Sequence, residues 1–119
     1  MNTIELSHLY TVEGYITFSV RVASGDFSGK SGFCINDGSL RNSLQILQSM
    51  YDNLSGSCII NDYDSDDYIS LEMQQYGHLI IRGQIGGSYH TQFLAYEMLT
   101  DQTELKKIID SFNHLLKAV

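Results

Sequence analysis

The chain has 119 residues, 43% hydrophobic and 18% charged, and its seven Lys and Arg against 14 Asp and Glu give a net charge of −7. That length suits one domain spanning residues 1–119 with a core that needs no staples, and the composition is that of a soluble globular protein rather than a disordered one. The acidity argues against direct binding of nucleic acid, which needs a basic footprint, and against an anionic membrane surface.

The first ten residues, MNTIELSHLY, lack the basic and apolar regions of an export signal. No apolar run approaches the roughly 20 residues of a membrane span. A cytoplasmic protein is expected. Cys34 and Cys58 both lie in strand-like runs, so two buried free thiols are expected rather than a disulfide.

TIELSHLY opens the chain as a strand with Ile4, Leu6, His8 and Tyr10 on one side. YITFSVRVA alternates cleanly, with Ile16, Phe18, Val20 and Val22 facing inward. The Gly- and Ser-rich ASGDFSGKSG predicts a turn, and GFCI a short strand. The period then changes. In SLRNSLQILQSMYDNLSG, Leu40, Leu44, Leu47, Tyr51 and Leu54 make one apolar helix stripe, with Ser39 or Asp37 to cap its start and Gly56 to end it.

SCIIN predicts a short strand, and YISLEMQ one with Ile69, Leu71 and Met73 inward. Tyr76 and Gly77 turn the chain into HLIIRGQI, and GGS at 86–88 turns it into YHTQFLAYEML, a long strand whose two apolar faces both call for cover. DQTELKKIIDSFNHLLKAV is an amphipathic helix with Asp101 and Glu104 at capping-box spacing and a stripe of Leu105, Ile108, Ile109, Phe112, Leu115 and Leu116. The order β-β-β-α-β-β-β-β-α predicts an α+β fold, an antiparallel curved sheet of about seven strands carrying two helices.

The acidic residues are not evenly spread. Between Asn42 and Ile81 there is no Lys or Arg, and the window holds Asp52, Asp62, Asp64, Asp66, Asp67 and Glu72. Tyr51, Tyr63, Tyr68 and Tyr76 fall in the same window. Tyrosine gives contact area at low entropic cost, and carboxylates steer a cationic partner. The candidate partner-binding set is therefore Asp62, Tyr63, Asp64, Asp66, Asp67, Tyr68 and Glu72. Asp62, Asp64 and Asp66 also imitate the start of a calcium loop, but Asp67 stands where Gly belongs and Met73 where the bidentate Glu belongs. No zinc-ligand spacing, nucleophile elbow or phosphate loop is present, so no cofactor and no enzymatic site is assigned. A calcium- or small-ligand-binding module, or an enzyme with a pocket of scattered residues, stays open as an alternative.

Several pieces together resemble the WapI-type family of bacterial immunity proteins: FSG at Phe27–Gly29, LRNSLQILQSMYDNLSG from Leu40, YGHLIIRGQIG from Tyr76, and DQTEL from Asp101. The resemblance implies stoichiometric inhibition of a cognate toxin delivered between competing cells, often an RNase. A nuclease's substrate face is basic, which agrees with the segregated acidity, and the resemblance carries no contact residue with it.

Overall fold

A computed structural model of the chain describes residues 2–87 and 91–118. The order of elements is β1 (Thr3–Val12), β2 (Tyr15–Ser24), β3 (Phe27–Asn36), α1 (Asp37–Asn53), β4 (Ser57–Asn61), β5 (Tyr68–Met73), a turn of 3-10 helix (Gln75–Gly77), β6 (His78–Ile85), β7 (Leu94–Asp101) and α2 (Gln102–Lys117). The α+β class and the element order are those expected. The strands divide, however, between two antiparallel sheets, β1-β2-β3 and β4-β5-β6-β7.

One apolar cluster draws on both sheets and both helices. Phe18 of β2 lies 5.7 Å from Phe33 of β3 and 5.9 Å, edge to face, from Phe112 of α2. Aromatic rings favour such tilted contacts, and these three tie the first sheet to the last helix. The strict alternation of β2 and β5 places Ile16, Phe18, Val20, Val22, Ile69, Leu71 and Met73 in this cluster, as read from the sequence.

Both helix starts are capped. Asn36, the last residue of β3, accepts a hydrogen bond from the Ser39 N–H at 2.7 Å, so the cap falls before both residues expected to supply it. Asp37 lies in the first turn, where a carboxylate suits the positive end of the helix. The stop is Leu54 in the left-handed conformation, two residues ahead of Gly56. Leu54 is exposed for that reason, and Met50 completes the stripe in its place. In α2, Asp101 accepts from the Thr103 N–H at 2.9 Å, and Glu104 lies 3.8 Å from Lys107.

Three strands differ from expectation. β3 runs ten residues, Phe27–Asn36, because β2 offers a partner along its whole length; the turn shrinks to Gly25 and Asp26, with Gly25 at φ +61 as a two-residue hairpin requires. Gly29 is needed within it, since a β-carbon there would lie 2.9 Å from the Ile85 methyl. β7 begins at Leu94; Ser88, Tyr89 and His90, where the turn and strand were expected, lie outside the described residues. Its two faces are unlike: Tyr96 and Met98 are buried, whereas Leu99 is 64% exposed.

β1 departs in a third way. Its register against β2 shifts between His8 and Tyr10, so Leu9 is an extra residue. His8 pairs with the inward Phe18, but Tyr10 pairs with the outward Thr17, and Thr11 with the inward Ile16. His8 Nε2 and Thr11 Oγ1 then meet at 2.8 Å on one face, which a spacing of three residues forbids in a regular strand.

Gly83 sits between Ile69 and Tyr96 in the second sheet, and a β-carbon there would clash with the Tyr96 hydroxyl and the Tyr68 carbonyl oxygen. Gly83→Ala is expected to lower stability by about 1–3 kcal/mol in urea titration, with no rescue by Tyr96→Phe because the carbonyl remains. The Tyr96 hydroxyl is buried and has no hydrogen-bond partner among the described residues. Tyr96→Phe alone is expected to be neutral or stabilising by about 1 kcal/mol. Burial pushes the Tyr96 phenol well above its ordinary value. The folded state therefore keeps this proton where the unfolded state loses it, and its contribution is intact below about pH 10 and lost as pH rises. Tyr96→Phe should flatten that alkaline loss in midpoints measured from pH 8 to 11.

Candidate functional site

The segment from Asp62 to Asp67 links β4 to β5 and lies along the free edge of β3, so it spans the two sheets. The Asp62 N–H donates to the Asp67 carbonyl at 3.0 Å and closes the loop. Among the described residues β3 pairs only with β2, which leaves one edge without a strand partner among them. The loop covers it: the Cys34 N–H donates to Asp62 Oδ1 at 2.8 Å, and the Tyr63 N–H donates to the Cys34 carbonyl at 2.8 Å. An uncovered edge of this kind is a template for unwanted pairing.

The four aspartates thereby divide. Asp62 is 8% exposed and Asp67 1%. Asp62 accepts from the Cys34 and Asp64 N–H groups and from the Ser65 hydroxyl. Asp67 accepts from the Ser31 hydroxyl at 3.1 Å, from Gln84 Nε2 at 3.2 Å and, with both oxygens, from the Gly87 N–H at 2.9 Å. A buried carboxylate is tolerated only when donors replace its water, and these come from β3, β6 and the residues after β6. Asp62 and Asp67 hold the loop, while Asp64 and Asp66 stay exposed at its surface. Among the described residues no three His, Cys, Asp or Glu side chains are grouped to hold a metal ion. The Asp62 oxygens, first in the calcium-loop pattern, already take three donors.

The other candidate residues lie on two faces. Tyr63 is 68% exposed and turns toward the first sheet, its ring 5.2 Å from that of Tyr15. The hydrogen bond that the Tyr15 hydroxyl shares with Tyr63 is the main cause that raises the Tyr15 phenol, followed by the charge interaction between the two. Tyr68 and Glu72 point to the outer face of the second sheet. There Arg82 donates to Glu97 at 2.6 Å and to Glu72 at 3.3 Å, so the acidic run of the sequence ends at a cation in space. Such an exposed network contributes little to stability. The structure thus brings Tyr63, Asp64 and Asp66 together on one loop and sets Tyr68 and Glu72 apart from Tyr63.

Tyr15 escaped the sequence reading because its partner is 48 residues away. Cys34 is partly exposed beside Thr17, and Cys58 is buried; both are free. Burial raises the Cys34 thiol first, and the charges of Asp64 and then Asp62 raise it further, against a hydrogen bond with Thr17 that lowers it. A cleft of about 960 Å³ lies between β3 and residues 85–86 and 91–94, and Lys30 is the one ionisable side chain among its described lining residues.

Two outcomes are expected from this geometry. Asp67→Asn should cost about 2–3 kcal/mol and Asp62→Asn about 2, while Asp64→Asn stays within about 0.5, all from denaturant midpoints. Alkylation of Cys34 should be slower in the native than in the unfolded chain at pH 8, and Asp64→Asn should speed the native reaction.

No described helix is long and apolar enough to cross a membrane. No curated protein matches the chain. The model of the immunity protein WapI-like family matches residues 8–119, a span that takes in every element but the first half of β1, and the whole acidic loop. Immunity proteins of this kind neutralise a toxin. The chain belongs to the WapI-like immunity protein family.

Proposed function

We propose that this protein neutralises its cognate toxin in the cytoplasm by binding it stoichiometrically, and that the acidic loop between β4 and β5 is the part that meets it. The observation that carries the reading is the division of the aspartates. Asp62 and Asp67 fix the loop through buried hydrogen bonds, and Asp64 and Asp66 are held at its surface beside the exposed Tyr63. A rigid loop loses little entropy on docking, and its charges act on an approaching partner before contact.

The partner that answers this surface is basic. A nuclease acting on RNA fits, because its substrate face attracts phosphate and accepts a carboxylate in the same position. The aspartates then occupy, in charge if not in shape, the place of the nucleic acid. Tyr68 and Glu72 belong to the contact only if the toxin also reaches the outer face of the second sheet, where Glu72 already pairs with Arg82.

The test uses the C-terminal domain of an exported protein, where one is encoded immediately upstream of this chain's gene, with stopped-flow association measured from low to high salt. A one-to-one complex is expected. Asp64→Asn with Asp66→Asn should slow association about threefold to tenfold at low salt and flatten its salt dependence. Unchanged kinetics would remove the loop from the contact, and the absence of any complex would refute the toxin reading for that partner.

A further inference from the structure

We propose that the docking surface continues from the loop onto the outer face of β1 and β2, where Tyr10, Val12, Tyr15 and Tyr63 form its apolar centre. Its occupant is a positively charged protein surface that lays a cationic side chain on these rings. This rests on the toxin reading above and names the part of the surface that supplies affinity rather than steering.

The bulge at Leu9 carries the inference. With the regular alternation of Ile4, Leu6 and His8, Tyr10 would face the core. The register shift instead pairs Tyr10 with Thr17 and Val12 with Tyr15, both on the outer face. Tyr10 and Val12 are each 57% exposed, and Tyr15 lies against Tyr63 of the acidic loop. A bulge breaks the ladder and strains the strand, and bulges characteristically re-aim side chains at functional places. Here the displaced side chains are a tyrosine and a valine placed beside two more tyrosines. Exposed apolar groups gathered in one patch mark interaction sites, whereas single ones need no explanation.

Charge selects the occupant. Glu13 is exposed in the turn between Val12 and Tyr15, and it holds a left-handed conformation at φ +51. The Asp37 N–H donates to the Gly14 carbonyl at 2.8 Å, which brings that carboxylate to the same turn. Asp64 lies near Cys34, the cross-strand neighbour of Thr17. Carboxylates therefore border the tyrosines from the turn, the helix start and the loop. The cations of this sheet face, Arg21 and Lys30, pair with each other farther along, and Arg21 is six residues or about 20 Å along the strand from Tyr15. Tyrosine faces ringed by carboxylates receive a guanidinium or ammonium group well, by cation–π attraction and by charge.

Tyr10→Ala and Tyr63→Ala test this against the same upstream toxin domain, with dissociation measured in high salt so that steering is screened. Leu99→Ala, an equally exposed apolar residue on the other sheet, is the control, and circular dichroism checks the fold. Each tyrosine variant is expected to dissociate about thirtyfold faster, with Tyr10→Phe close to wild type and Leu99→Ala unchanged. If Tyr10→Ala dissociates like wild type while the aspartate variants still slow association, this surface is refuted and the toxin reading stands. Loss of binding in Leu99→Ala alone would place the centre on the second sheet and refute it equally. If the wild-type chain forms no complex with the domain, both fail together.

Discussion

Two carboxylates hold the halves of this molecule in register. Among the described residues the sheets share no ladder, so their relation depends on core packing and on the segment from Asp62 to Asp67. Asp62 satisfies the free edge of β3 through the Cys34 N–H, and Asp67 gathers donors from β3, β6 and Gly87, two residues after β6. Each is too deeply buried to survive unpaired, since an ionised carboxylate away from water must be met by donors. The arrangement is therefore cooperative. If the sheets slide, the Cys34 N–H and the Ser31 hydroxyl of β3 leave the two carboxylates at once.

This also explains how a chain can crowd four aspartates into six residues. Mutual repulsion in such a cluster is opposed on the inner side by backbone N–H groups and hydroxyls and on the outer side by water. The split gives the loop two surfaces with different physics. The inner one is dry, directional and intolerant of change. The outer one is wet, and its charges act at a distance and are screened by salt. The exposed charges keep a fixed place because the buried ones do.

Much of the fold could be read from residue order. The strands with one buried face, β2 and β5, announce themselves because every second residue is apolar. The second helix does so through its stripe and Asp101. β3 did not, because its Gly and Ser residues have little preference of their own and are held by β2 and by the approach of Ile85 to Gly29. The bulge at Leu9 did not either, since nothing in the local pattern separates Tyr10 from the inward residues before it. The site was half legible. The acidic window and Tyr63 stood out, but the donors that turn Asp62 and Asp67 inward lie 17 to 36 residues away. Nor could the pairing of Tyr63 with Tyr15 be inferred before the loop was seen to cross to the first sheet.

The alternation of β2 has one more outcome. Ile16 and Phe18 are fully buried, while their neighbours Tyr15 and Thr17 look outward beside Tyr10 and Cys34. The inward positions are constrained by close packing, whereas the exposed outward ones such as Tyr15 and Arg21 are constrained far less. The same strand thus has one side that must stay as it is and exposed positions on the other that can diverge. A lineage facing new adversaries could redraw the outer side residue by residue and leave the architecture untouched.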